Sequence, residues 1–204
     1  MLAIAVTGGL GAGKTTVTRL LAERGCCVID ADRIGHEVLL PGGAAYASVV
    51  ALFGGEILDG DRNIDRRQLA AKVFADPQEL KRLEAASHPP IRQRILQELE
   101  ESEARGCAVT VIDVPLLERG GLKGAVDLVI VVDASDQART ARETARGRDP
   151  EDVRRRMAAQ PGRQELREAA DYVIENDGDL AELQKKTGDL WETKILPRAL
   201  VFRL

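Results

Sequence analysis

Gly8-Gly9-Leu10-Gly11-Ala12-Gly13-Lys14-Thr15 fits the phosphate-loop pattern G-x-x-x-x-G-K-[ST], and its flanks fit as well. Leu2 to Val6 is an apolar run that reads as a buried strand leading in. Val17, Leu20 and Leu21 recur at helical spacing, so a helix leads out. These residue types answer a physical demand. Glycines let the backbone turn tightly enough for successive N–H groups to face one anion. The helix that starts at the loop's end adds the positive end of its dipole. Lys14 supplies a point charge for the β- and γ-phosphates, and the Thr15 hydroxyl suits Mg²⁺. A glycine-rich turn that binds nothing is the plainer reading, and the strand and helix on either side weigh against it. The loop predicts a bound nucleoside triphosphate and leaves the fate of its γ-phosphate open.

Four more strands are legible. Cys26-Cys27-Val28-Ile29 reads as a short buried strand and is followed by Asp30-Ala31-Asp32. Val109-Thr110-Val111-Ile112-Asp113 is β-branched and ends in an acid, the form of a Walker B element, so Asp113 joins Thr15 as a candidate Mg²⁺ residue. Asp127 to Asp133 and Ala170 to Asn176 complete the set. Strands alternating with helices predict an α/β protein of the three-layer P-loop NTPase type, with a five-stranded parallel sheet, a helical insertion and a lid. In such sheets ligands bind beyond the carboxyl ends of the strands, which is where Asp30 and Asp32 lie. If the chain stays extended, both carboxylates face the site. If it turns at Ala31, one caps the next helix.

Residues 34–105 lack a convincing strand. Pro41-Gly42-Gly43 opens a helix carrying Tyr46, Val49, Val50 and Phe53, and Gly54-Gly55 ends it. Asp65 caps a second, with Leu69, Val73 and Phe74. Asp76-Pro77-x-Glu79 starts a third, which Pro89-Pro90 is expected to break. A fourth carries Ile91, Ile95, Leu96 and Leu99 to Gly106. A stretch this long exceeds a simple crossover and reads as an acceptor-binding subdomain. His88 and Arg92 are its candidate acceptor contacts, set against the ordinary readings of a structural histidine and a solvated arginine. The core then comprises 1–33, 106–135 and 165–204. Residues 136–164 form an arginine-rich lid with interspersed acids, among them Glu143, Asp149, Glu151 and Asp152. Most of its arginines suit a solvated helix pair. Arg142 and Arg146 share a helical face and are the candidates to reach the transferring phosphoryl group. Trp191 reads as core.

The bulk numbers exclude several classes. The 204 residues suit one domain with an insertion. No apolar run approaches the ~18 residues of a membrane span, and nothing resembles a signal peptide. A net charge of −4 disfavours nucleic acid as a partner, and the sparse aromatics do likewise. The three cysteines suggest no disulfide framework and read as small core residues, which points to a reducing, cytoplasmic setting. There is no Asn-Lys pair, so the guanine-reading N-K-x-D motif of a GTP switch is absent. A kinase acting on a nucleoside monophosphate is the nearest rival.

The ordered motifs resemble the dephospho-coenzyme A kinase family over nearly the whole chain. The resemblance rests on Thr7 to Thr16, Val28 to Asp32, Pro41-Gly42-Gly43, Phe53-Gly54, Val73-Phe74 and His88-Pro89-Pro90-Ile91-Arg92. It continues through Asp113-Val114-Pro115-Leu116-Leu117-Glu118, Ala158-Ala159-Gln160 and Ala170 to Asn176. It implies ATP-dependent phosphorylation of the ribose 3′-hydroxyl of dephospho-coenzyme A. It implies that Gly11, Ala12, Gly13, Lys14, Thr15 and Thr16 bind ATP and that Asp32 takes the proton from the acceptor hydroxyl. The family's glutamine and its spaced arginines are matched only loosely by Gln137, Arg139, Arg142 and Arg146, so the resemblance does not single out one lid arginine.

Overall fold

Along the first strand Leu2, Ile4 and Val6 pack into one cluster of buried residues, and Ala3 and Ala5 into another. Side chains alternate across a strand, so this pattern fixes two apolar faces and a helical layer over each. The structure, a computed structural model, describes residues 1–115, 122 and 124–201, the side chains of Phe74 and Ala75 excepted. Leu116, Leu117, Glu118 and the Phe74 side chain, which carry part of the family resemblance, lie outside the described residues.

In chain order the described elements are β1 (Leu2–Thr7), α1 (Lys14–Ala22), β2 (Cys27–Asp30), α2 (Ala31–Glu37), α3 (Tyr46–Phe53), a 3₁₀ turn (Gly55–Ile57), α4 (Arg66–Ala75) and α5 (Pro77–Ala104). Then come β3 (Val109–Asp113), β4 (Leu128–Asp133), α6 (Asp136–Ala145), α7 (Pro150–Ala158), α8 (Arg163–Glu168), β5 (Tyr172–Glu175), α9 (Leu180–Leu190), a π-helical turn (Trp191–Ile195) and α10 (Leu196–Val201). The sheet runs β2-β3-β1-β4-β5, all parallel. The chain passes from β1 to β2 and β3 on one side and then crosses from β3 to β4 on the other, so a crevice opens at the carboxyl end of β1. Register aligns Asp30 with Asp113 and Asp133 with Glu175, which gathers acids along that edge. The fold is the expected P-loop type with five parallel strands. Among the described residues, no helix is long and apolar enough to cross a membrane.

Helices α2 to α5 pack on the Ala3, Ala5, Ile29 and Ile112 face, so the insertion shares its core with the sheet. The boundary drawn after residue 33 falls inside α2. Asp65 and Asp76 cap α4 and α5 as expected, through backbone N–H groups of Arg67, Gln68 and Gln78. Trp191 packs half-buried against the other cluster, as read.

Three expectations are corrected. Pro89-Pro90 does not break a helix: α5 runs unbroken through both. Two prolines cost a helix interior on the order of 3 kcal/mol each. Yet Leu80, Leu83, Ile91, Ile95, Leu96 and Leu99 lie on both sides of the pair and enter one cluster, which outweighs that cost. The second strand is an edge strand, with Val28 41% exposed, because β2 has a neighbour only in β3. The cysteines are not all free. Cys27 and Cys107 form a disulfide, their Cα atoms 6.1 Å apart, while Cys26 is free and buried. Cys27 pairs in register with Thr110, so the turn into β3 brings Cys107 beside it across 80 residues of sequence. The cysteine argument for a reducing compartment therefore lapses. Burial pushes the Cys26 thiol up to about 12, against a smaller opposing pull from Arg24, so it behaves as a core residue.

Candidate active site

Gly13 closes the phosphate loop at φ 100° and caps α1, a conformation that favours glycine. A Cβ there would run into the Asn176 side chain, whose amide donates to the Ala12 carbonyl at 2.7 Å. Asn176 itself follows β5, and its N–H donates to the Asp133 carbonyl. The floor of the loop is thus pinned to the far side of the sheet. Ala12 is buried in that floor, so its contribution to the site is its backbone.

The loop's outer limb is pinned from the other direction. Arg139, only 6% exposed, donates from Nε to the Leu10 carbonyl at 2.8 Å. The Leu10 N–H donates to Oε1 of Gln160 at 2.9 Å, and Arg139 Nη2 donates to the same oxygen. Burial pulls the Arg139 pKa below the usual guanidinium range, against raising contributions from Asp136 and Asp133. Arg142 donates to the carbonyls of Asn176 at 2.7 Å and Gly178 at 3.3 Å, and lies 3.5 Å from that of Gly11. The loop therefore rests between β5's end and the inner face of α6.

A pocket of about 290 Å³ lies over the loop. Gly11, Gly13, Lys14, Thr15 and Thr16 line it, together with Asp32, Pro115, Glu143, Arg146, Arg148 and Gln160. Lys14 Nζ ion-pairs with Oδ1 of Asp113, so the loop's cation and the acid at the end of β3 meet. Asp32 is exposed towards the pocket, and its carboxylate has no hydrogen bond or ion pair among the described residues. The chain turns at Ala31. Asp30 is consequently the cap of α2, accepting the Arg33 N–H at 3.0 Å, and Asp32 sits in that helix's first turn. Nη2 of Arg33 donates to both oxygens of the buried Glu98 on α5 at 2.7 and 2.9 Å, which ties α2 to α5.

Other expected residues lie elsewhere. Arg142 is turned to the carbonyls named above and does not line the pocket. His88 is half-buried and Arg92 exposed on α5, neither with a polar partner among the described residues and neither lining the pocket. A larger cavity of about 800 Å³ opens between α6, α7 and the 160–163 turn. It holds none of the expected site residues, so size does not locate the site.

Sequence reasoning missed Glu143 and Arg148, and it used Gln160 and Asn176 only as parts of a resemblance. Glu143 passed for a solvated helix acid, yet it is 1% exposed. No local signal marks it, because its burial comes from packing against the phosphate loop at Gly11.

The dephospho-CoA kinase family model matches residues 2–182. The chain is 46% identical to a Streptomyces avermitilis dephospho-CoA kinase over 192 residues, 94% of this chain and 93% of that one. A Thermus thermophilus crystal structure superposes with a TM-score of 0.80 at 34% identity, covering 95% of this chain and 98% of that one. A dephospho-CoA kinase from Campylobacter jejuni gives 0.70 at 25% identity, covering 93% and 95%.

Proposed function

The chain belongs to the dephospho-CoA kinase family, and we propose that the pocket over its phosphate loop is where the family's reaction runs. The enzyme uses ATP to phosphorylate dephospho-CoA at the ribose 3′-hydroxyl, giving coenzyme A and ADP in the last step of coenzyme A synthesis. One observation carries the placement: the unpartnered carboxylate of Asp32 lines the same pocket as Lys14 and the loop glycines.

The roles divide as follows. The amides of Gly11 to Thr16 and the Lys14 ammonium hold the β- and γ-phosphates. Asp32 accepts the proton of the acceptor hydroxyl, a contribution worth about 10²–10⁴ in rate. Bond-making help is a minor part of a loose phosphoryl transfer, so positioning and charge neutralisation dominate. Arg146, which lines the pocket, meets the charge that spreads over the migrating group. Helices within 34–105 hold the acceptor, with His88 and Arg92 as contacts on α5, and 136–164 closes over the site. The Arg33–Glu98 ion pair gives Asp32 a fixed place relative to that acceptor.

The residues present fit Mg²⁺. Thr15 offers a hydroxyl and Asp113 a carboxylate, both hard oxygen donors. Among the described residues no group of three or more His, Cys, Asp or Glu side chains forms a metal cage. An ion held by one or two side chains and by phosphate oxygens is the usual manner of Mg²⁺, which neutralises phosphate charge when bound. An ATP-fed synthesis of a soluble coenzyme suits the cytoplasm, whatever the state of the cysteines.

The test is incubation of the protein with ATP, Mg²⁺ and dephospho-CoA, with the product identified by mass. A product heavier by one phosphoryl group at the 3′ position, with equal ADP, is expected. ADP release that ignores dephospho-CoA but follows a nucleoside monophosphate would contradict the reading.

A further inference from the structure

We propose that Glu143 is a positioning residue that holds Arg146 and Arg148 at the phosphate pocket, each by one nitrogen, leaving their other donors for the triphosphate. The inference rests on reading that pocket as the ATP site. It starts from the backbone. Gly147 ends α6 at φ 86°, its N–H donates to the Thr144 carbonyl at 2.9 Å, and the Arg148 N–H donates to the Glu143 carbonyl at 3.2 Å. This pair of bonds is the Schellman ending of a helix, in which the residue after the glycine folds back onto the residue three before the cap. The contact it creates is usually apolar. Here it joins a guanidinium to a carboxylate.

Arg148 Nε lies 3.0 Å from Oε2 of Glu143, and Arg146 Nη1 donates to Oε1 at 2.7 Å. Oε2 stays within ion-pair range of Arg148 but accepts no hydrogen bond. A guanidinium carries five N–H donors, so each arginine keeps most of its capacity. Both side chains line the pocket beside Lys14 and Thr15. Glu143 is buried against the loop, where a Cβ on Gly11 would come 3.1 Å from the Cγ methylene of its side chain. A buried negative charge next to a phosphate site opposes the anion and is costly to desolvate. Two arginines held in place outweigh it. Long side chains lose rotamer freedom when they bind, and Glu143 removes part of that loss before the triphosphate arrives.

A double-mutant cycle tests this, reading kcat and KM for ATP in the wild type, Glu143→Gln, the paired Arg146→Ala and Arg148→Ala substitutions, and all three together. Glu143→Gln is expected to lower kcat about tenfold without raising KM for ATP, since the repelling charge is gone while the arginines are loose. In the background lacking both arginines, the same substitution should change kcat less than about twofold. An equal fall in kcat in both backgrounds, or a raised KM with kcat intact, would overturn the positioning role. Thermal melting checks that each variant folds. If Glu143→Gln does not, Glu143→Asp takes its place in the same cycle, because the shorter acid cannot reach both arginines and is expected to lower kcat. A wild type with no dephospho-CoA-dependent ADP release sinks the reading of the site and this inference together. An active wild type with an uncoupled cycle sinks the inference alone.

Discussion

Helices α6 and α7 are neighbours in one arginine-rich segment, yet their arginines do different work. On α6, Arg139 and Arg142 give their donors to carbonyls of the phosphate loop and of the chain after β5. On α7, Arg155 and Arg156 pair with Asp152 of their own helix, and the Arg155 side chain is 81% exposed. The helices have similar composition, so charge content does not separate them. What separates them is the surface they face. Backbone carbonyls at a loop cannot be met by water once α6 covers them, so the arginines that meet them become structural. An exposed ion pair between helix neighbours is worth about 0–1 kcal/mol.

If contact with the loop decides importance, substitution effects should fall in a fixed order. Lys14→Ala, inside the loop, is expected to abolish turnover, as measured by ADP release; retained activity would break the contrast at its root. Arg142→Ala comes next. It leaves the Asn176 and Gly178 carbonyls without their donor, and a displaced loop is expected to lower kcat by about 10²-fold while acceptor affinity changes less. Equal losses in kcat and acceptor binding would show that Arg142 serves the acceptor instead.

A smaller effect concerns Asp133, at the end of β4, which lies between β1 and β5. Burial pushes its carboxyl pKa up, but hydrogen bonds and charge from Arg163 and Arg167 on α8 outweigh this and hold it below the usual range. A depressed folded-state pKa means the unfolded chain takes up the proton first. Asp133 therefore contributes stability that is complete above its unfolded pKa of about 3.9 and is lost as pH falls through the lower folded value. Below about pH 4 the melting temperature of the wild type should fall more steeply than that of Asp133→Asn. Parallel slopes would remove Asp133 from the account. The smallest effect is reserved for α7: Arg155→Ala and Arg156→Ala should each shift stability by less than about 0.5 kcal/mol in denaturant titrations and leave kcat near normal. A large loss of kcat in either would extend the working surface of the lid beyond α6.

The same distinction explains what could be read from the residues beforehand. β1, β3 and β4 are buried on both faces, so their apolar runs mark them without knowledge of any neighbour. The phosphate loop is legible because its demands are local: tight turns, amides, one lysine. Asp65 and Asp76 are legible as caps for the same reason. Where tertiary partners decide, local signals fail. Pro89-Pro90 reads as a break because helix propensity is local, while the packing that carries α5 through it is not. Cys27 and Cys107 meet only because β2 and β3 are adjacent. Asp30 and Asp32 looked equivalent until the turn at Ala31 made one a cap and left the other free. Glu143 looked solvated because its burial depends on the loop it covers.

The central claim is that the loop grips the triphosphate while Asp32 prepares the hydroxyl, two tasks on two elements. Asp32→Asn separates them. Nucleotide affinity measured by titration should stay within about twofold of wild type, while the transfer rate falls by about 10²-fold or more. Loss of ATP affinity in step with the rate, or an unchanged rate, would contradict it.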